Sequence, residues 1–290
     1  ENDVRESARA FTGWRTTPPP KPDIPANATD QQRRQAMAKS YAEWQPQFIV
    51  NPRLHDTGQK TFLGKTGNWT GDDIVDVIMG QAATGRFIVT RLFREFAYAD
   101  PEPKTIDALV KVWDASGRQV RDVVRAILVG DEFNSERAYR AKVRSPIEFV
   151  VGAIRGLELD TATEFAGGAR VGGTPGASAY RGMDQLLFEP HNVAGWPGGS
   201  NWLSSSTFFA RVNFIDAFLF PRGRAIKIPA FGAATTAAEL ADLALALLVD
   251  ANVSQASRDT LVNYLGSVRI EDRPATAAYL VLASPEYQLI

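Results

Sequence analysis

The chain has 290 residues, 44% of them hydrophobic and 22% charged, with 32 Lys and Arg against 33 Asp and Glu for a formal net charge of -1. That balance gives no electrostatic case for nucleic acid or for an anionic membrane surface, and no apolar run reaches spanning length. The absence of cysteine excludes disulfides, thiolate catalysis and thiolate-ligated metals, and with only two histidines, His55 and His191, a metal site needs carboxylates or another chain.

Residues 1–14, ENDVRESARAFTGW, place Val4, Ala8 and Phe11 on one helical face, with Asn2 or Asp3 as cap and Gly13 as stop. The next stretch, RTTPPPKPDIPANATD, holds five prolines in sixteen residues and cannot be helical, which leaves an extended crossing or a disordered loop. Gln31 to Trp44 reads as a helix. In Gln47 to Gly64, the apolar pieces Phe48–Val50 and Thr61–Leu63 flank a polar turn, which predicts one small β-hairpin with His55 and Asp56 near its tip.

From Thr70, a plausible N-cap for 72–79, the pattern is helical. Helices are predicted at 83–98, with Phe87, Leu92 and Phe96 on the apolar face, and at 104–115, 118–129 and 146–158. Residues 160–179 are rich in small side chains and read as a mobile loop. A short helix at 180–187 is followed by an irregular segment and then a helix over 204–220 with Phe208, Val212, Ile215 and Leu219 inward. Helices at 236–249, 257–266 and 274–284 close the chain. The segments 107–133 and 259–287 echo each other as Asp-x-Leu-Val, a polar break and an apolar helix, which suggests two related helical hairpins. The whole is a mainly α, multi-helical single domain with long irregular loops.

The irregular segment is the richest in chemistry. FEPHNVAGWPGGSNW, Phe188 to Trp202, gathers two tryptophans, His191, two asparagines, two prolines and three glycines in fifteen residues. Prolines fix φ and glycines permit positive φ, so the segment is a shaped loop. Its indoles either anchor it to neighbouring helices or face a ligand, and both hold if one anchors and the other is exposed. Exposed Trp196 and Trp202 beside His191, Asn192 and Asn201 would suit a sugar-binding groove, and Arg211 could carry an anionic group or close a salt bridge to Asp216 or to an acidic residue elsewhere. Ser204-Ser205-Ser206-Thr207 has no nucleophile elbow and reads as an N-cap run. His55 and Asp56 could act as metal ligands or as an oriented base, or simply hold a turn.

Several stretches together resemble a known family: HDTGQKTFLG from His55, GDDIVDVIMGQAATGRFIVTRLFREF from Gly71, RSPIEFVVGAIRGL from Arg144, EPHNVAGWPGGSNWLSSSTFFARVNF from Glu189, and the terminal LASPEY. In the same order, they are similar to the bacterial domain of unknown function 1800 family, whose motifs have no assigned chemistry. The resemblance implies that this chain is the C-terminal portion of a longer, exported bacterial protein, periplasmic or secreted. A preceding helical half would carry further histidines. It also implies a neighbouring partner from the domain of unknown function 1501 family, which resembles alkaline phosphatases and sulfatases. Where the family tends to have a second proline before Asn-Val-x-Gly-Trp, this chain has His191, so a catalyst typical of the family is not expected there.

Two functions follow as expectations. The first is an extracytoplasmic binding or structural module presenting the Trp/Asn-rich loop to an extracellular polymer or a protein partner. The second is a metal-assisted hydrolase with a composite site of His55, Asp56 and histidines of the preceding half. The sequence assigns no cofactor and does not decide whether the chain is an enzyme.

Overall fold

In a computed structural model of the chain, which describes residues 1–159, 170–171, 174–175, 177–232 and 234–290, helices open on short polar caps where the sequence places them. Capping boxes at Thr29, Thr70, Ser145, Ser204 and Thr236 pair a side-chain oxygen with the N–H three residues on, satisfying donors that the first helical turn leaves free. The fold is mainly α. It divides into two units, Glu1–Ile88 and Val89–Ile290, where the sequence reads as one domain.

The first unit holds α1 (Asn2–Ala10), β1 (Trp14–Thr16), α2 (Asp30–Glu43), β2 (Phe48–Val50), β3 (Lys60–Phe62), β4 (Lys65–Gly67), α3 (Gly71–Met79) and the start of α4 (Ala82–Phe96). Its core is small: Ala10, Phe62, Ile74 and Val77, with Phe11 and Trp69 packed against it. Neither Asn2 nor Asp3 caps α1; Asp3 instead accepts the Leu63 N–H at 2.9 Å.

The predicted hairpin is corrected. Both apolar pieces form strands, but β2 pairs antiparallel with β1, and β3 pairs with β4. Leu63 and Gly64 both have positive φ, which makes the two-residue turn whose twist matches the strands it joins. A local two-residue turn wins over a longer polar connection, so His55 and Asp56 lie in the β2–β3 connection and not at a hairpin tip.

The second unit continues through α5 (Pro103–Ala115), α6 (Val120–Leu128), α7 (Pro146–Gly156), a strand pair β5 (Arg170–Val171) and β6 (Thr174–Pro175), and α8 (Ala177–Gly182). It closes with α9 (Ser205–Leu219), α10 (Ala237–Val249), α11 (Gln255–Ser267) and α12 (Arg273–Ala283). The stretch read as a mobile loop, 160–179, lies mostly outside the described residues. The two echoing segments fold as consecutive helix pairs, α5–α6 and α11–α12. In the core, α10 packs on α7, α11 and α12, and α9 packs on α8 and α12.

Two helix faces differ from their predicted ones. In α4 the buried positions are Gly85, Val89 and Phe93, four apart and continued by Ala97 just past the helix end, while Phe87 and Phe96 are exposed. In α9 the inward residues are Thr207, Arg211, Phe214, Ile215, Phe218 and Leu219; Phe208 faces outward. Reading only apolar side chains rotates that face away from Arg211, which sits in the middle of the true one.

Gly71 opens α3 where a Cβ would lie 2.6 Å from Trp14 Cε2 and 2.7 Å from Phe11 Cδ1, two rings already packed edge to face. Gly71→Ala is expected to destabilise the first unit by about 1–3 kcal/mol, as overpacking does, measured by urea denaturation followed by tryptophan fluorescence.

Candidate functional site

The loop from Met183 to Leu203 joins α8 to α9, and its base is tied down residue by residue. Gln185 is buried and its Oε1 accepts the Ile147 N–H at the start of α7. Trp202 is 5% exposed and closes a single 3-10 turn, Gly199–Trp202, just before the Ser204 cap of α9. Asn192 accepts the Ala194 N–H in an Asx turn, and the Asn201 side-chain amide donates to the Gly198 carbonyl. His191 Nε2 lies 3.1 Å from Asp184 Oδ1, stapling the loop across its own width. Gly195, Gly198 and Gly199 all take positive φ, as the expected shaped loop requires. The serine run serves as a cap, with Ser204 Oγ accepting the Thr207 N–H.

Of the two indoles, Trp202 is therefore an anchor, and no face of it is open to a sugar ring. Trp196 is half-buried, with its Nε1 shielded and without an acceptor. His191, Asn192 and Asn201 are exposed, as the sequence reading requires, but the open apolar side chains are ones it passed over. Phe188 is 94% exposed and holds φ at +65°, a left-handed conformation that a bulky residue adopts at a cost; Val193 is fully exposed. Their signal in sequence was faint: two apolar residues inside a segment otherwise rich in turn formers.

Arg211 is not a surface cation. It is fully buried on α9, and its guanidinium donates through Nη1 to Gln288 Oε1 (3.1 Å) and through Nη2 to the carbonyls of Arg144 (2.7 Å) and Trp202 (3.3 Å). It stacks 4.8 Å from the Phe149 ring, and its Nε has no acceptor. No carboxylate among the described residues reaches it as an ion pair, so the expected bridge to Asp216 is replaced by neutral oxygens. Burial pulls its pKa down to about 10, far from neutrality, and the charge stays. Arg211 thus ties the loop's last residue to the start of α7 and to the chain's final turn. Two family-like segments, those holding Arg144 and Trp202, converge on this one side chain together with Gln288, the residue that follows LASPEY.

His55 and Asp56 belong to the first unit and form a second constellation. Both Asp56 oxygens are engaged: Arg9 binds them through Nε (2.7 Å) and Nη2 (3.2 Å), and the Gly58 N–H adds a 2.8 Å bond to Oδ1. The Arg9 guanidinium, with the Gly58 N–H, holds the carboxyl down at about 2. His55 Nδ1 donates to the Thr12 carbonyl at 3.0 Å, and Thr12 Oγ1 accepts the Asp56 N–H. Beneath them Lys60, with no exposed surface, donates to the carbonyls of Asp56 (2.5 Å) and Gly58 (2.9 Å). The segment is a turn clamped onto α1 from both sides. His55 Nε2 has no hydrogen-bond partner among the described residues, but Asp56 is committed to a bidentate cation already present. No three His, Asp or Glu side chains that could hold a metal gather among the described residues.

A family model described as a protein of unknown function (DUF1800) matches residues 1–289. No curated protein and no solved structure matches.

Two stability predictions follow from these geometries. Because the folded carboxyl of Asp56 titrates below its unfolded range near pH 4, its contribution is complete above that range, declines on acidification and is lost as pH falls through about 2. Asp56→Asn should therefore melt below the wild type at pH 7, with the gap closing towards pH 2 in differential scanning calorimetry. Arg211→Met removes a costly buried charge but orphans two acceptors, Gln288 Oε1 and the Arg144 carbonyl, at about 1–3 kcal/mol each, while the Trp202 carbonyl keeps its bond from Thr207 Oγ1; the orphaned acceptors outweigh the relief. A net loss of about 2–4 kcal/mol is expected in chemical denaturation, with faster hydrogen exchange at 202–204.

Proposed function

The chain belongs to the DUF1800 family, residues 1–289 matching its model, and from the placement of its residues we propose that it is a binding module that presents the 188–201 loop to a protein partner. The observation carrying this reading is Phe188. A phenyl ring that is 94% exposed, on a backbone with φ of +65°, pays twice, in strain and in hydration, for a place outside the core. Val193, five residues on, is equally bare, and the loop's ends are pinned by Gln185, Trp202 and Arg211. A rigid base under exposed apolar tips lowers the ordering cost of association. A protein surface fits these tips better than a polysaccharide, since Trp202 is buried and Trp196 half-buried, which leaves no fully open indole for a sugar ring.

Export from the cytoplasm and a partner of the domain of unknown function 1501 type are part of the proposal, and both rest on family resemblance. The metal-assisted hydrolase is the weaker alternative, since it keeps His55 Nε2 but has lost the use of Asp56.

Phe188→Gly separates function from stability. Glycine relieves the positive φ, so the variant is expected to be as stable as the wild type or up to about 1 kcal/mol more so. Its affinity for the neighbouring 1501-type protein, measured by biolayer interferometry together with Val193→Ser, is expected to fall at least about tenfold. No binding by the wild type, or unchanged binding by the variants, would contradict the proposal.

A further inference from the structure

The second unit contains a cavity of about 720 Å³, away from the residues of the 188–201 loop, whose wall includes Arg140, Lys142 and Arg144. That volume is in the range of small-molecule sites. Two of the three cations already have work within the fold. Arg140 donates to the Val249 and Asn252 carbonyls at the end of α10, and Lys142 pairs with Glu95 at 3.1 Å. Arg144 has none. Its guanidinium lies 4.5 Å over the Tyr287 ring, its Nε is shielded from solvent without an acceptor, and no carboxylate among the described residues pairs with it.

The second, independent observation lies behind that wall. Phe149 and Tyr287 pack ring to ring at 5.3 Å, and on the Phe149 side sits Arg211, fully buried with its own Nε unsatisfied. Two guanidiniums therefore flank one aromatic pair, and neither has a counter-ion. Glu148 offsets part of the field at Arg211, but one of its oxygens is taken up by the Ser145 N–H of the α7 cap and it forms no ion pair. Guanidiniums left without a counter-ion favour an incoming anion, and Arg144, partly buried, is the one of the two on the cavity wall.

We propose that the cavity binds a small organic acid, with its carboxylate or phosphate on the guanidinium of Arg144 and hydroxyl or amino donors on the remainder. The other wall residues set the rest of that chemistry. Glu136, Glu148, Asp250 and Glu286 also line the cavity and none of them forms an ion pair among the described residues, so they repel a polyanion and accept from donor groups. Phe96, Phe133 and Tyr139 supply apolar surface for a carbon skeleton.

The test is calorimetric titration of the chain with gluconate, acetate and inorganic phosphate, against sodium chloride at equal ionic strength. Gluconate is expected to bind more tightly than about 1 mM and more tightly than acetate. Phosphate binding above acetate assigns a phosphate ester; the reverse assigns a carboxylic acid. Arg144→Gln should weaken binding at least about tenfold and Arg144→Lys less, because the ammonium keeps charge without the fork. Where Arg144→Gln does not melt cooperatively, Ala138→Phe fills the cavity instead and should cost the same factor. The proposal is overturned if none of the three anions binds above the chloride control, or if Arg144→Gln, or Ala138→Phe in its place, binds as the wild type does. Equal affinity for acetate and gluconate would overturn the assigned donor groups.

Discussion

A guanidinium with no carboxylate, buried in the middle of α9, is the constraint on which the second unit's organisation depends. Three hydrogen bonds leave Arg211 for three distant places: the start of α7, the last turn of the Trp loop and the final turn of the chain. Neutral acceptors do not cancel a buried charge, but they hold it in one geometry, because moving any of the three segments would take a hydrogen bond from the buried charge. The result is a fixed base from which the 188–201 loop projects. Exposure of Phe188 and Val193 then becomes meaningful, since an apolar tip on a loose loop would fold back.

The first unit uses the same device on a smaller scale. Lys60 is buried against carbonyls, and Arg9 reaches across to Asp56, so the HDTGQK segment is shaped by cations in its interior. Its apolar core is only four residues deep. Polar clamps do there what hydrophobic area does in the larger unit.

Helices were legible in sequence wherever a cap residue preceded an apolar period, as at Thr70 and Ser204, because those signals are local. The strands were legible as strands but not as pairs: β2 finds β1 more than thirty residues upstream, and nothing within Phe48–Val50 announces that partner. The composition of the Trp loop predicted its irregular shape, and its two indoles divided as anchor and partly open ring. What could not be read was which side chains are sealed. Arg211 looked like a ligand-binding cation because arginines usually lie at surfaces, and Asp56 looked available because Arg9, forty-seven residues earlier, gave no sign of reaching it. Phe188 was overlooked for the opposite reason, since a phenylalanine is expected to be buried.

The direct measurement is NMR of the arginine side chains in the uniformly ¹⁵N-labelled chain, with the Nε–H of Arg211 assigned through Arg211→Lys. A guanidinium bound to three fixed oxygens and stacked on Phe149 should show resolved, slowly rotating Nη groups and an Nε–H protected from exchange with water. A single averaged Nη signal with rapid exchange, as exposed arginines give, would mean that the charge is solvated, and the fixed base beneath the loop would be lost with it.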